Sequence, residues 1–318
     1  MKVVVVGGGS WGSVFAVLLA ERGHEVTLAC RDAEQARAIA DTGRNPRYLT
    51  DVDLSAVEAA PLETAPFPEA ELACLALPSG AFRDVAESLP GNAPVLSLTK
   101  GLDPETGSRL STVVRGRPVA VLSGPNHAEE IAQGLPAAAV ISSEDEALAV
   151  ELQHAIISAR FRVYLNSDLV GVELCAAAKN VMALAAGGVD GFGFGDNAKA
   201  ALITRGLAEM ARLGQACGAR GETFSGLAGM GDLIVTCFSP YSRNRRAGEL
   251  IAQGRSPEQA REEIGMVVEG LTTAPVLRDL SRRLGVELPI TEAICEVLNG
   301  TSALDLVSGL MSRTPTDE

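Results

Sequence analysis

The 318-residue chain has little of what would mark it for several large classes of protein. Basic charge is short, with 27 lysines and arginines against 40 acidic residues. A nucleic-acid partner would have to be met by a basic face that neutralises phosphates, so the balance argues against that class. Any anionic ligand must then be held by locally clustered cations and backbone dipoles. Histidine is scarce, with three in all: His24 beside Gly23 in a turn, His154 in a helical stretch and His127. None has a second ligand at suitable spacing, so no metal site is expected. The six cysteines (Cys30, Cys74, Cys175, Cys217, Cys237 and Cys295) are scattered without a C-x-x-C pair. They read as reduced structural thiols in a cytoplasmic protein. Long apolar runs are missing too. The N-terminus MKVVVVGGGS offers four valines and then glycines, too short for a signal peptide. A membrane span needs about 20 mostly apolar residues without central charges. The nearest stretch, 170–189, is interrupted by Glu173, Lys179 and Asn180, so it reads as a buried helix and no span is expected.

What is present is a large apolar fraction, 47% of residues against 21% charged, on a chain longer than one core usually serves. Two domains follow. Short Val/Leu/Ala runs at 3–6, 26–29, 72–77, 95–98 and 119–122, followed by 137–141 and 161–164, suit parallel strands buried on both faces. Helical patterns at 13–22, 33–41, 81–89, 127–133 and 146–157 lie between them. Strand alternating with helix implies a doubly wound α/β domain. After about Asn166 only helical patterns follow, at 169–186, 198–217, 245–253, 257–264, 273–284 and 290–298, with Gly218, Gly254, Gly285 and Gly300 where C-caps fall. The expected organisation is a domain over 1–165 and an all-α domain over 166–318, with a polar tail beyond Arg313, containing Pro315, that frays.

Gly7-Gly8-Gly9-Ser10-Trp11-Gly12 is G-x-G-x-x-G, set directly after the four-valine strand and before a helix bearing Val14, Val17 and Leu18. The first glycine permits the tight turn, the second lets backbone approach a pyrophosphate, and the third lets helix pack on strand. The helix N-terminus adds unpaired N–H groups and partial positive charge. The first domain is therefore read as a Rossmann-type sheet binding a nicotinamide dinucleotide. Preference between NADPH and NADH is set at the end of the second strand, Leu28-Ala29-Cys30-Arg31-Asp32. Arg31 suits a 2′-phosphate and favours NADPH, while Asp32 reads as the cap of the next helix.

In the helical half, Lys179 shares a helical face with Cys175, Met182, Ala183 and Ala186, all small or apolar. Desolvation shifts an ammonium there toward the neutral form that a general acid/base needs near neutral pH, unless the lysine snorkels out or pairs with Glu173. Asp232, after the Gly-rich 227–231, reads by itself as a helix cap. Ser242, Arg243 and Asn244 open a helix, so hydroxyl, guanidinium, amide and helix N-terminus can converge on one phosphate. Arg245 and Arg246 read as solvated or ion-paired charges. Gly191-Phe192-Gly193-Phe194-Gly195 follows a helix rather than a strand and reads as a flexible connection, with Asp196 or Asn197 capping the next helix.

Gly9-Ser10-Trp11-Gly12, Thr99-Lys100-Gly101-Leu102, Ser123-Gly124-Pro125, Lys179-Asn180-Val181, Leu227-Ala228-Gly229-Met230-Gly231-Asp232, Ser242-Arg243-Asn244-Arg245-Arg246 and Val267-Val268-Glu269-Gly270 occur in this order. Together they resemble the bacterial NAD(P)-dependent glycerol-3-phosphate dehydrogenases over essentially the whole chain. The resemblance implies reversible reduction of dihydroxyacetone phosphate to sn-glycerol 3-phosphate for phospholipid synthesis, in a cytoplasmic homodimer. It implies that Lys179 exchanges the proton with the substrate oxygen, and that Lys100 contacts cofactor and substrate. Asp232, Ser242, Arg243 and Asn244 then hold the substrate, as do Gly124 and Asn126. Arg243 also reaches the cofactor, which Ala128, Val267 and Glu269 touch as well. This chain departs from the family in reading Asn126 where serine is usual and Ala177 where glycine is common. Asn126 still donates and accepts hydrogen bonds, and Ala177 favours the helix. Ketopantoate reductases and 6-phosphogluconate-type enzymes share this plan, but Thr99-Lys100-Gly101 and Ser242-Arg243-Asn244 separate them. A catalytically idle NAD(P)H sensor would not need Lys100, Lys179 and Asp232.

Overall fold

Eight strands pair into one sheet in the computed structural model, which describes residues 1–302 and 304. The tail beyond Arg313 lies outside the described residues. The strands are β1 (Lys2–Val6), β2 (Glu25–Cys30), β3 (Glu58–Pro61), β4 (Leu72–Leu75), β5 (Val95–Ser97), β6 (Val119–Ser123), β7 (Ala137–Ser143) and β8 (Phe161–Leu165). Among them lie α1 (Ser10–Glu21), α2 (Ala33–Thr42), α3 (Ser79–Ser88), α4 (Ala128–Ala132) and α5 (Glu146–Ile156). The strand order is β3-β2-β1-β4-β5-β6-β7-β8. Its first six members follow the doubly wound dinucleotide-binding order, which reverses between β1 and β4, where such sheets take their ligands.

Side chains alternate across a strand, and here both faces are covered. Val3 and Val5 pack with Phe15 and Leu19 of α1, Ile39 of α2 and Leu152 of α5. Val4 and Val6 pack on the other side with Phe82 of α3 and with Phe67 and Leu110. Each fully buried side chain of this size contributes about 1.5–3 kcal/mol, so the four-valine run anchors the sheet's centre.

Two features depart from the expected strand pattern. β6 and β7 pair antiparallel. The connection between them holds only the five-residue α4, about 7.5 Å of helix, which does not span the length of either strand. β3 is a strand the sequence pattern does not announce. It reads Glu-Ala-Ala-Pro at the sheet's edge, beside β2, where no apolar run is needed.

The chain divides after Glu173 into two compact units, inside α6 (Leu169–Gly191). Glu173 itself is tied to the first unit: its carboxylate accepts from Ser111 N at 2.8 Å, Ser111 Oγ at 2.6 Å and Arg109 Nη1 at 2.8 Å. Burial pushes it above the usual glutamate range, and these bonds pull it back.

The second unit continues with α7 (Gly195–Ala216), α8 (Gly221–Ser225), a π-helical turn (Leu227–Gly231), α9 (Asp232–Phe238), α10 (Arg243–Ala252), α11 (Pro257–Ile264), α12 (Glu269–Leu284) and α13 (Pro289–Leu298). Among the described residues, α6 alone is long and apolar enough to cross a membrane, and nearly all of that stretch is buried inside the protein. Its backbone meets those of two other helices. A Cβ on Gly248 of α10 would overlap the carbonyl oxygen of Leu184, one on Gly187 would overlap that of Arg245, and one on Gly270 of α12 would stand 2.7 Å from that of Asn180. The Gly-rich 227–231, read as a turn, is helical because Gly229 packs directly on the backbone of Phe224. Phe194 rather than Asp196 or Asn197 holds the N-cap position of α7, with Asp196 inside its first turn. The buried Glu209 of α7 caps α13 by accepting from Ile290 N at 2.8 Å, Thr291 N at 3.0 Å and Thr291 Oγ1 at 2.6 Å.

No cysteine is in a disulfide among the described residues, and burial pushes the thiol of Cys30 up to about 11 and that of Cys237 up to about 12. The thiols of Cys30 and Cys237 stay protonated at neutral pH and are not nucleophiles.

Candidate active site

The glycine loop leaves β1 at the sheet's reversal point. Gly7 has φ of 115°, and its N–H donates to Ala29 O at 2.9 Å. A Cβ on Gly7 would overlap the carbonyl oxygen of Ala76, and one on Gly12 would overlap that of Gly7 itself. These two glycines are required by the protein's own packing. Gly9 is different, since a Cβ there would meet nothing within 4 Å. The open space lies at the N-terminus of α1, where Gly9 is the cap residue and no side chain satisfies the first-turn N–H groups. That is what an approaching pyrophosphate needs, so Gly7, Gly9, Ser10, Trp11 and Gly12 fit the dinucleotide. The buried indole N–H of Trp11 has no partner within the protein.

Behind the loop sits a clamp that the sequence reading missed. The carbonyl of Gly8 accepts from Gln35 Nε2 at 2.7 Å and from Asn45 Nδ2 at 2.9 Å. Asn45, 1% exposed, also donates to Ser13 Oγ at 3.0 Å. Its Oδ1 accepts from Gln35 Nε2 at 3.1 Å, Arg47 N at 3.0 Å and Tyr48 N at 3.2 Å. The available signal was Gly43-Arg44-Asn45-Pro46, a turn composition directly after α2. Asn45→Ala leaves several buried polar groups unpaired, each costing about 1–3 kcal/mol. The expected result is about tenfold weaker binding of NADH by calorimetry, with a loss for NADPH at least as large. Arg31 follows β2 and is exposed.

Lys100, Gly124 and Asn126 come together at the C-terminal ends of the neighbouring strands β5 and β6. Lys100 Nζ donates to Gly124 O at 2.9 Å and to Asn126 Oδ1 at 2.7 Å. The amide oxygen of Asn126 is thereby used, while its buried Nδ2 has no partner within the protein. The asparagine that replaces the family's serine thus presents a donor. Ala128 is buried at the start of α4.

In the helical unit Lys179 Nζ donates to Asp232 Oδ1 at 2.6 Å and to Thr236 Oγ1 at 2.8 Å, and the Lys179 and Asp232 side chains are 6% and 1% exposed. Lys179 does not pair with Glu173, which Arg109 and Ser111 occupy. Asp232 is not a helix cap, and its carboxylate faces inward from the first residue of α9. Thr236, one turn on, completes the group. Thr236 is hidden in the sequence because the glycines of 227–231 have turn composition and mask the helix that stacks positions 232 and 236.

Ser242 caps α10 by accepting from Arg245 N at 3.2 Å. Asn244 is buried, donating to Asn180 Oδ1 at 3.0 Å and accepting from Gly270 N at 2.8 Å, so it fixes the residue next to Lys179. Arg243 is exposed. Arg245 pairs with Asp190 at 3.2 Å and Arg246 with Glu249 at 3.4 Å. Val267 is exposed, and Glu269 opens α12.

A sheet of this order with a glycine loop at its reversal, continuing into a helical unit, defines a Rossmann-type dinucleotide-binding protein with an α-helical C-terminal half. Family models narrow this. Residues 2–149 match the N-terminal part of NAD-dependent glycerol-3-phosphate dehydrogenase, and residues 168–307 match its C-terminal part. A glycerol-3-phosphate dehydrogenase [NAD(P)+] of Moorella thermoacetica is 46% identical over 100% of this chain and 97% of its own length. One from Salinibacter ruber is 44% identical over 100% and 96%. The crystal structure of glycerol-3-phosphate dehydrogenase from Coxiella burnetii superposes with a TM-score of 0.94 at 34% identity, covering 98% of this chain and 99% of that one. A Bacillus subtilis 2-dehydropantoate 2-reductase, with a TM-score of 0.57 at 18% identity over 94% of this chain and 99% of its own, shares the fold alone. The chain belongs to the NAD-dependent glycerol-3-phosphate dehydrogenase family, as the ordered motifs indicated.

Proposed function

We propose that the protein catalyses the reversible NAD(P)-dependent reduction of dihydroxyacetone phosphate to sn-glycerol 3-phosphate, which supplies glycerophospholipid synthesis. The observation that carries the reading is the buried Lys179–Asp232–Thr236 group, an ammonium held by a carboxylate and a hydroxyl inside the helical unit. Bound NADPH or NADH supplies the hydride. Lys179 gives a proton to the ketone oxygen, which becomes the C2 hydroxyl, and takes it back in the reverse direction. Asp232 holds the ammonium in place and accepts from the substrate. Lys100 and the unpartnered amide of Asn126 donate to substrate oxygens beside Gly124, with Lys100 also touching the cofactor. Arg243, with Ser242 and Asn244 at the start of α10, takes the phosphate, and Arg243 also reaches the cofactor. Gly7, Gly9, Ser10, Trp11, Gly12 and Arg31 bind the dinucleotide, with Ala128, Val267 and Glu269 toward the nicotinamide. Residues 1–165 serve the cofactor and 166–318 the substrate and proton transfer. NADPH is the preferred cofactor, and the enzyme works as a homodimer in the cytoplasm, the dimer resting on family likeness.

Oxidation of NADPH and NADH by dihydroxyacetone phosphate, followed at 340 nm, tests the reading. Turnover is expected with both cofactors. Folded protein that binds NADPH and turns over neither would sink it.

A further inference from the structure

We propose that Arg47 is a second determinant of cofactor choice: it neutralises Asp32 and, with Arg31, holds the 2′-phosphate of NADPH. The proposal rests on the dinucleotide reading. The residue that decides between the two cofactors stands at the end of the second strand, where a carboxylate free to accept from the ribose 2′-hydroxyl favours NADH. Asp32 stands in that region, and this chain uses both of its oxygens. Oδ1 accepts from Glu34 N at 2.9 Å and Gln35 N at 3.4 Å, capping α2. Oδ2 meets Arg47 Nη2 at 2.5 Å. An unneutralised carboxylate here would repel a 2′-phosphate, and the guanidinium of Arg47 removes that repulsion.

The same guanidinium remains available to a ligand. Arginine carries five N–H donors in a fixed fork, and the side chain of Arg47 is 55% exposed. Its backbone is not loose, because Arg47 N is held by Asn45 Oδ1 at 3.0 Å, and Asn45 is the residue that clamps Gly8 of the glycine loop. The guanidinium is thereby set relative to the loop that takes the pyrophosphate. Arg31 adds a second exposed guanidinium at the end of β2. The other charges nearby are Glu34, exposed in the first turn of α2, and Arg44, which donates to Asp51 O at 2.7 Å. Arg47 thus pairs with Asp32, the residue next to Arg31 in the chain. The Arg47–Asp32 pair is too exposed to matter much for stability, so removing Arg47 should leave a folded protein.

The test is calorimetric titration of the full chain with NADPH, NADH and the fragment 2′,5′-ADP. Arg47→Ala is expected to weaken NADPH and 2′,5′-ADP about tenfold while NADH stays within about twofold, the loss of one charge-assisted contact. Asp32→Asn keeps the helix cap, since asparagine caps as well as aspartate. It should leave NADH binding unchanged and NADPH binding unchanged or tighter. Equal weakening of both cofactors by Arg47→Ala would make Arg47 a structural tie and overturn the proposal, as would no change at all. Weaker NADH binding in Asp32→Asn would make Asp32 the ribose acceptor and overturn it too. If wild-type protein binds none of the three, the dinucleotide reading falls and this proposal with it.

Discussion

Lys179→Met is expected to lower kcat for dihydroxyacetone phosphate reduction at least about a thousandfold, within the range lost with a positioned general acid, while the NADPH dissociation constant changes little. The geometry makes the second half of that expectation a real constraint. Lys179 is bonded to Asp232 and Thr236 of its own unit, and the glycine loop is built from other residues, Gly8, Gln35 and Asn45. A structural cost must be separated from the chemical one. Removing Lys179 strands a carboxylate that is 1% exposed, and an uncompensated buried charge costs about 3–5 kcal/mol. The single variant should therefore also melt at lower temperature. Adding Asp232→Asn removes the stranded charge, so the double variant should recover most of the stability and none of the turnover. Recovery of turnover, or loss of NADPH binding together with turnover in the stable double variant, would mean that Lys179 holds the fold rather than moves the proton.

How much of this could be read beforehand differs by element, for physical reasons. The central strands and the glycine loop are legible because burial on both faces demands unbroken apolar runs and because Gly7 and Gly12 sit where the backbone itself forbids a side chain. The edge strand β3 carries no such demand and left no pattern. The antiparallel turn into β7 is a matter of connection length, which hydrophobic periodicity does not encode. In the site, Lys179 stands out as a charge on an apolar face, and Asp232 joins the site only through the family resemblance. Thr236 was hidden by a glycine run whose glycines serve close packing rather than turning. Asn45 and Arg47 were invisible for another reason. Asn45 acts on Gly8 across 37 residues of sequence and Arg47 on Asp32 across 15, and no local spacing reports such contacts.

Gly248→Ala is expected to destabilise the protein by about 3 kcal/mol, against what helix propensity predicts. In a helix interior alanine is favoured over glycine by about 0.8–1 kcal/mol, so on propensity alone α10 should gain. The added methyl, however, would overlap the carbonyl oxygen of Leu184 and stand 3.1 Å from Gly188 N. Backbone cannot turn aside as a side chain does, so α6 and α10 must separate, and overpacking of this kind costs about 1–3 kcal/mol or more. The loss should reach the site, because α10 carries Asn244 and Asn244 holds Asn180, the residue next to Lys179. Activity should fall with stability, while NADPH binding by the first unit persists. Gly188→Ala is the control within the same pair of helices. A Cβ there meets nothing within 4 Å, so propensity acts unopposed and the variant should be stabilised by about 0.4–1 kcal/mol. Opposite signs for the two substitutions in urea unfolding confirm that the helices touch backbone to backbone at Gly248. Equal signs would show that the second unit tolerates a methyl there, and that Asn180 owes its position to something other than this contact.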